Sequence, residues 1–307
     1  MDNEILIKYY KDNHEKKIFH SKLVDDKPAH IMYIYDYDKE LKNFSTTFLM
    51  YLPYYVRSFD QLSTIKIENI DLELEERSKK VRVDKIVPQR KTEVNGLYGE
   101  LFLDFFLRIV CKRKCLITYA KKRSFSSDAE AHGPDNVVYF IEDGNINICF
   151  CEAKFVSGAS SAKNNLIEDI NGTPSIGGRN GKHSHISKDF LNNYIGFMVS
   201  QSFDVMECEK SLFLNFINDL NSKIDISNDF ISSLIDFDVC CNFIFFAIFD
   251  STKKTPQKLI NHYNDIYQEA EQKIKELNIT NYKIEIVFIP TNSKPIEIKK
   301  EIDKNYE

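Results

Sequence analysis

The pattern of apolar and polar residues is most regular between positions 93 and 110. Apolar side chains cover nearly the whole circumference of a helix there, which is typical of a helix buried on most sides. After Gly99 the polar residues are Glu100, Asp104 and Arg108. Residues four apart lie on one face of a helix, so these three form a single polar stripe. We expect Asp104 and Arg108 to pair along this stripe.

Three short apolar segments downstream predict strands. One spans 115–119, and two alternating runs at 136–141 and 146–155 flank the dipeptide Asp143-Gly144. An Asp-Gly pair between two alternating runs is a strong signal for a two-residue hairpin loop. We therefore expect an antiparallel hairpin after the buried helix.

The last third of the chain has the pattern of a strand, a helix and a second strand. Residues 239–249 are almost continuously apolar, as in a strand buried on both faces. Thr255 and Pro256 supply an N-cap and a first helical residue, and 283–289 predict the second strand. This order predicts a parallel pair of strands. One face of the intervening helix carries Leu259, Tyr263, Ile266, Ala270, Ile274 and Leu277.

The first third of the chain predicts mixed elements without evident chemistry. Residues 31–35 have the pattern of a strand, and 41–56 that of a helix that ends near Pro53. Residues 65–74 alternate as a strand does. The charged segment 79–91 is a plausible boundary between two units.

The remaining segments complete the predicted organisation. The glycine-rich stretch 157–185 predicts a loop or a loop-helix-loop, followed by helices at about 186–200 and 207–222. Together the elements predict an α/β fold with a central mixed sheet flanked by helices. We expect this domain at 94–307, preceded by an α+β accessory domain at 1–93.

The composition is that of a folded globular protein. Hydrophobic residues make up 43% and charged residues 28% of the 307 residues, which excludes wholesale disorder. The longest apolar run is far shorter than the ~20 residues of a membrane-spanning helix, and the acidic N-terminus does not resemble a signal peptide. We therefore expect a cytoplasmic protein without a membrane partner.

The cysteines do not indicate a disulfide framework. Their number, seven, is odd, and several lie inside apolar runs, so buried reduced thiols are expected. A zinc site stays an alternative, although no CxxC pair is present. Its ligands would be Cys111, Cys115, Cys149 and Cys151.

The net charge of −5 argues against a strongly basic nucleic-acid coat. Residues 105–125 nevertheless contain seven basic residues and no acidic one. This segment is either a local phosphate-facing patch or a solvated helix end and turn, and charge alone favours the second reading. The basic residues are Arg108, Lys112, Arg113, Lys114, Lys121, Lys122 and Arg123.

The hairpin brings two carboxylates and a lysine together. If the loop is the Asp-Gly pair, Asp135 lies directly opposite Glu152; if the loop starts one residue later, Asp135 faces Lys154. Glu152 and Lys154 share a face in both cases because they are two residues apart in a strand. A three-residue loop would turn Glu152 to the other face.

Such a constellation is suited to phosphodiester chemistry. Two carboxylates at this distance repel each other, and a divalent cation relieves the repulsion. Mg²⁺ or Mn²⁺ binds carboxylates and phosphate oxygens, acidifies a water and stabilises charge on phosphorus. Asp135 and Glu152 are candidate ligands, the Ala153 carbonyl and Glu100 are further oxygen ligands, and Lys154 would hold or activate the attacking water. The structural alternative is a cross-strand ion-pair cluster at a sheet edge.

Over about residues 94–250 the chain resembles a known family. It is similar to the HamA family, the effector subunit of the Hachiman anti-phage defence system, and to the wider PD-(D/E)xK nucleases of restriction-endonuclease-like fold. The predicted order of helix, strand, hairpin, helix and strand matches that fold. The matching segments are Gly96-x-x-Gly99-Glu100, His132-Gly133-Pro134-Asp135 and Glu152-Ala153-Lys154-Phe155.

The resemblance implies a metal-dependent DNA nuclease partnered by a helicase subunit, HamB, which loads on DNA and restrains the nuclease. Asp135 and Glu152 would be metal ligands, Lys154 the catalytic lysine and Glu100 an accessory ligand. His132 would contact the scissile phosphate or donate a proton, or else bond only to backbone. The first third matches no family pattern, and docking of the partner is its expected role.

Several alternatives stay open at this point. The chain is alternatively a non-catalytic regulatory subunit of a helicase complex, or an independent RNase or restriction-type endonuclease. Two acidic residues near the motif either reach the metal or belong to a solvated loop, and four basic residues form either a DNA-contacting flap or a plain loop. These residues are Asp128 and Glu130, and Arg179, Lys182, His183 and His185.

Overall fold

The computed structural model describes residues 3–23, 29–33, 39–56, 65–81, 94–115, 135–142, 144–173, 184–192, 215–216, 218–219, 222, 230–251 and 256–304. Across these ranges, seven strands form one sheet with helices packed against it, so the fold is mixed α/β. The strands are β1 (His20–Leu23), β2 (Ala29–Tyr33), β3 (Lys114–Cys115), β4 (Asn136–Glu142), β5 (Asn145–Val156), β6 (Cys240–Asp250) and β7 (Tyr282–Thr291).

The sheet is mixed, with the strand order β1-β2-β7-β6-β5-β4-β3. Strands β5, β6 and β7 run parallel, and β2 is parallel to β7. The pairs β1–β2, β3–β4 and β4–β5 are antiparallel. The predicted strand-helix-strand unit is confirmed, because β6 and β7 are neighbours joined by a long helix.

The helices lie before, between and after the strands. A helix after the last strand was not among the sequence predictions, and π-helical turns follow the first and fifth helices, at Lys11–Glu15 and Phe106–Val110. The helices are α1 (Asn3–Tyr10), α2 (Lys16–Ile18), α3 (Glu40–Val56), α4 (Ile70–Val81), α5 (Val94–Phe105), α6 (Ala159–Asn171), α7 (Phe230–Asp236), α8 (Pro256–Glu276) and α9 (Pro295–Lys304).

Strand β5 separates two hydrophobic cores. Cys151, Ala153 and Phe155 belong to a cluster shared with α3 and α5. Ile148 and Phe150 belong to a second cluster shared with α6 and α8. Because side chains alternate along a strand, each set lines one face of the sheet. Both faces of β5 are therefore covered, and any polar side chain on it is placed inside the protein.

The β4–β5 hairpin has the register that an Asp-Gly loop predicts. Glu142 pairs with Asn145, which leaves two residues in the loop, and the pairing continues to Asn136 opposite Cys151. Gly144 has a φ of 81°, a conformation that glycine adopts without steric cost. The loop that starts one residue later and the three-residue loop are both excluded.

The predicted buried helix is confirmed as α5, which continues into the π-helical turn. The polar stripe of this helix is partly buried in the protein. Asp104 is buried, accepts a hydrogen bond of 2.7 Å from the Tyr51 hydroxyl and pairs with Arg108 at 3.1 Å. The Arg108 guanidinium lies 5.3 Å from the centre of the Tyr54 ring. The expected Asp104–Arg108 pair is therefore present, within a buried network.

The strand predicted at 65–74 is wrong. These residues form a 3₁₀ turn and the first part of α4. The apolar alternation was misleading, because Leu74 is buried whereas Leu72 is exposed. Glutamate, arginine and lysine favour helices, and Glu73–Arg77 and Glu75–Lys79 form i,i+4 ion pairs that support one.

The helix predicted at 41–56 is confirmed as α3 (Glu40–Val56), although it continues past Pro53, near which it was expected to end. A proline removes one helical hydrogen bond, which was the basis of the expectation. Tyr54 and Tyr55, beyond the proline, are both buried. Their packing is the structural reason that the last turn persists.

The N-terminal third is joined to the rest of the molecule. Strands β1 and β2 extend the common sheet next to β7. The buried Glu40 carboxylate accepts hydrogen bonds from the backbone N–H groups of Asn292 (3.0 Å) and Ser293 (2.8 Å). The division into an accessory domain at 1–93 and a nuclease domain at 94–307 stays a prediction about roles.

Several predicted elements fall partly outside the ranges that the structure describes. Of the strand expected at 115–119, the described part is Cys115, which belongs to β3 (Lys114–Cys115). The loop-helix-loop reading of 157–185 is supported by α6, and residues 188–192 are helical within the helix expected at 186–200. Most of 207–222 lies outside the description.

Candidate functional site

Strand β5 carries Glu152 and Lys154 on the face that packs against α6. Both continue the alternation of Ile148 and Phe150, so they point away from Ala153. The Glu152 side chain is 5% exposed and that of Lys154 is 19% exposed. Two ionisable groups are thus nearly withdrawn from water, which requires partners of opposite charge.

Asp135 lies where the hairpin register predicts. The pairing of Asn136 with Cys151 is the last in the ladder, so Asp135 is one residue beyond it, next to Glu152. One of its carboxylate oxygens accepts a hydrogen bond of 2.6 Å from the Ala153 backbone N–H. This contact fixes the start of β4 against β5 beside Glu152 and Lys154.

Helix α6 supplies a carboxylate that the sequence analysis missed. Asp169 is 4% exposed, and one of its oxygens lies 2.5 Å from the Lys154 ammonium nitrogen. It belongs to the buried stripe of α6, whose other members are Ala159, Ala162, Leu166 and Ile170. A charged residue at a buried position of an amphipathic helix interrupts the expected apolar pattern, and this interruption is visible in the sequence. That signal could have identified Asp169.

His185 completes the cluster, which we name the Glu152 cluster: Glu152, Lys154, Asp169 and His185. Its Nδ1 atom lies 2.6 Å from a Glu152 carboxylate oxygen. Its backbone N–H donates a 2.7 Å hydrogen bond to the Asp169 carbonyl, and its ring stacks on Phe190 with centroids 4.5 Å apart. The sequence analysis weighed His185 as part of a flap or loop and did not connect it to Glu152.

The cluster is electrostatically coupled. Lys154 also lies 3.6 Å from Glu152. Burial by itself would lower the pKa of Lys154, but the charges of Glu152, Asp135 and Asp169 outweigh it and raise that pKa. Burial likewise would lower the pKa of His185, and the hydrogen bond and charge of Glu152 raise it instead. The carboxylates therefore favour the charged forms of both side chains.

Glu100 belongs to α5, which packs on the other face of the sheet. At Gly99, the residue before Glu100, a Cβ atom would be 3.4 Å from the Cβ of Ala153, so the helix lies against the face opposite to Glu152. One Glu100 oxygen accepts a 3.1 Å hydrogen bond from the Tyr55 hydroxyl. A role for Glu100 as an accessory ligand stays a prediction.

The other predicted residues have varied outcomes. Arg108 and Arg113 of the basic segment are ion-paired, with Asp104 and Glu285 respectively, so they do not form an open phosphate-facing patch. Cys111, Cys149 and Cys151 are reduced and form no disulfide. The remaining site residues lie outside the described ranges: His132, Asp128, Glu130, Arg179, Lys182 and His183.

The donor set suits a divalent cation. Glu152, Asp169 and His185 each present a ligand atom, and these atoms lie within 4.8 Å of one another. Carboxylate oxygens bind Mg²⁺ and Mn²⁺, and imidazole nitrogen is a common ligand of transition metals. The arrangement therefore fits a metal centre in which a lysine ammonium lies beside the ligands.

The fold and the cluster define a mixed α/β protein with a buried carboxylate–lysine–histidine centre. The HamA family model matches residues 8–305, nearly the whole chain, and the protein belongs to the HamA family. Membership of this family indicates a component of the Hachiman anti-phage defence system and implies a partner protein. The comparisons with curated proteins and with solved structures gave no match.

The helices were also compared with the requirements of a membrane span. Within the described part of the chain, no helix is both long enough and apolar enough to cross a membrane.

Proposed function

We propose that this protein is a metal-dependent nuclease that hydrolyses DNA phosphodiesters as the effector of a Hachiman system under the control of a helicase partner. The observation that carries the proposal is the burial of Glu152 and Lys154 on one face of β5, beside Asp135 at the end of the hairpin. These are the residues that match the Asp and Glu-x-Lys positions of the PD-(D/E)xK motif.

The order of elements supports a restriction-endonuclease-like core. Helix α5 is followed by the antiparallel strands β3, β4 and β5, then by α6, and then by β6, which is parallel to β5. The resemblance implies this same order. The motif residues also lie at the expected point, where β4 begins and β5 approaches its end.

The energetics favour function over a purely structural ion-pair cluster. Burying charges costs several kcal/mol per ion before their attraction is counted. An apolar set of similar volume at Glu152, Lys154 and Asp169 would avoid this cost, and such replacements are often neutral or stabilising. A costly charged centre next to a motif that matches a nuclease is best explained by chemistry.

Each residue has a role that follows from its position. Glu152 is the carboxylate placed to bind the metal, and Asp135 and the Ala153 carbonyl are the further oxygen ligands that the motif implies. A bound divalent metal would acidify water and stabilise negative charge on the phosphate. Lys154, held in its charged form by the surrounding carboxylates, would orient the attacking water or offset charge on the phosphate.

The proposal is tested with the purified protein, alone and with its helicase partner. The substrates are supercoiled DNA, single-stranded DNA and RNA, each with Mg²⁺, with Mn²⁺ and with EDTA. We expect DNA cleavage that requires the metal. Cleavage of RNA only would favour an RNase, and DNA binding without any cleavage in the presence of the partner would favour a regulatory subunit.

A further inference from the structure

Two side chains of the Glu152 cluster lie outside the motif on which the proposed function rests. Asp169 belongs to α6, and His185 lies 14 residues beyond the end of that helix in the sequence. The side chains of both nevertheless lie close to Glu152. Within the cluster, the carboxylates of Glu152 and Asp169 both belong to side chains that are at most 5% exposed. With Asp135 beside the cluster, three carboxylates face one lysine and one histidine, so the centre favours a further cation.

His185 is held in a fixed orientation. Its ring is nearly parallel to that of Phe190, with an interplanar angle of 8°, and its backbone N–H is bonded to the Asp169 carbonyl. The preceding Ser184 hydroxyl donates a hydrogen bond of 2.5 Å to the carbonyl of Ile170, which anchors the same segment to the end of α6. The ring is thereby fixed beside Glu152, with a nitrogen within 4.8 Å of a carboxylate oxygen of Glu152 and of Asp169.

Lys154 does not prevent Asp169 from acting as a ligand. The ammonium nitrogen of Lys154 lies 2.5 Å from one Asp169 oxygen. A carboxylate has two oxygens and about four acceptor positions, so it can hold a lysine and a cation together. The lysine would then stay beside the metal, where its proposed role in cleavage requires it.

We propose that Asp169 and His185 bind the divalent metal together with Glu152, and that this mixed oxygen and nitrogen ligand set favours Mn²⁺ over Mg²⁺. The preference follows from the imidazole, because Mg²⁺ selects oxygen ligands whereas imidazole nitrogen suits transition metals. This assignment rests on the proposed function in one respect: the metal bound here is taken to be the metal that the nuclease uses.

The direct test uses electron paramagnetic resonance of Mn²⁺ bound to the full-length protein. Pulsed measurements detect coupling between Mn²⁺ and a directly bound nitrogen, and labelling with ¹⁵N-histidine identifies that nitrogen as histidine. We expect one histidine nitrogen coupling in the wild-type protein. Its absence from protein-bound Mn²⁺, or a failure to bind Mn²⁺ at all, would overturn the assignment without the need for any variant.

Variants then identify the residues. His185→Gln should remove the nitrogen coupling and weaken Mn²⁺ binding at least about tenfold, and Asp169→Asn should weaken it by a similar factor. His14→Gln, at a buried histidine in the N-terminal region, is the matched control and should leave both readouts unchanged. Titration of bound Mn²⁺ with Mg²⁺ should require at least about a tenfold excess for half displacement.

The outcome separates this inference from the proposed function. Metal-dependent cleavage with no nitrogen coupling would reject the His185 ligand and leave the nuclease intact. Nitrogen coupling without any cleavage in the presence of the helicase partner would support the metal site and reject the nuclease. Mn²⁺ affinity that is unchanged in Asp169→Asn would reject Asp169 as a ligand.

Discussion

Replacement of Lys154 by methionine tests whether the Glu152 cluster is electrostatically balanced. The ammonium nitrogen lies 2.5 Å from Asp169 and 3.6 Å from Glu152, and both carboxylates are nearly fully buried. Methionine keeps most of the side-chain volume but removes the charge. Removing one partner of a buried pair typically costs about 3–5 kcal/mol. We expect Lys154→Met to lower the free energy of unfolding by that amount in EDTA.

A double-mutant cycle separates the electrostatic contribution of Lys154 from the effect of altered packing. Asp169→Asn in the Lys154→Met background removes the second uncompensated charge, so the double variant should be more stable than the sum of the single effects predicts, by about 1–3 kcal/mol. Lys79→Met is the matched control, because Lys79 lies 2.6 Å from Glu75 but these side chains are 51% and 38% exposed. The control should change stability by less than about 1 kcal/mol.

The assay is urea unfolding at neutral pH in EDTA, with the midpoint and the slope m compared among variants. A constant m with a lower midpoint indicates a change in stability alone. If Lys154→Met lowers stability no more than Lys79→Met does, the carboxylates do not depend on the lysine. The description of a coupled buried centre would then be wrong.

Three further predictions concern the surrounding fold. Burial, aided by the charge of Lys17, lowers the pKa of His14 to about 4. Between pH 6.5 and pH 4 the unfolded chain therefore binds a proton at His14 that the folded chain does not bind. The free energy of unfolding should fall by about 3 kcal/mol over that range in the wild-type protein, and by less in His14→Gln. Gly99→Val should destabilise by about 1–3 kcal/mol because α5 contacts Ala153 there, whereas Gly99→Ala should be tolerated. Tyr51→Phe should cost about 1–3 kcal/mol, since it removes a hydrogen bond to the buried Asp104.

Each of these predictions has a clear negative result. Equal pH dependence of urea midpoints in the wild-type protein and His14→Gln would show that His14 is not held neutral by the fold. Melting temperatures that do not distinguish Gly99→Val from Gly99→Ala would reject close packing of α5 on β5. A wild-type melting temperature in Tyr51→Phe would mean that the Asp104 carboxylate is satisfied without the hydroxyl.

Local sequence signals were sufficient where the interaction itself was local. The Asp-Gly loop set the register of the hairpin, and that register correctly placed Asp135 next to Glu152. The near-continuous apolar pattern correctly predicted the buried helix α5. In contrast, the alternation at 65–74 misled, because helix propensity and i,i+4 ion pairs decided the local structure.

The buried position of Asp169 on α6 is visible in the sequence, but the partners of the remaining site residues depend on long-range packing. Asp169 reaches Lys154 because α6 folds back on the face of β5 that carries it, and His185 reaches Glu152 only after the chain has returned past α6. The side of the sheet on which α5 packs was also not predictable from its stripe of polar residues. Helix α5, which carries Glu100, packs on the face opposite to Glu152, and the spacing of Glu100 from the hairpin gave no indication of that.

The central claim is that the Glu152 cluster is the nuclease centre. The most direct test compares first-order rates of plasmid cleavage by the wild-type protein, Glu152→Gln and Glu285→Gln with Mg²⁺ or Mn²⁺ and the helicase partner. Glu285 is a matched control, since it is a partly buried, ion-paired carboxylate whose neighbours Ile284 and Ile286 point to the other face of the sheet. Glu152→Gln should slow cleavage more than about 100-fold, with Glu285→Gln close to wild type. Wild-type cleavage by Glu152→Gln would contradict the claim.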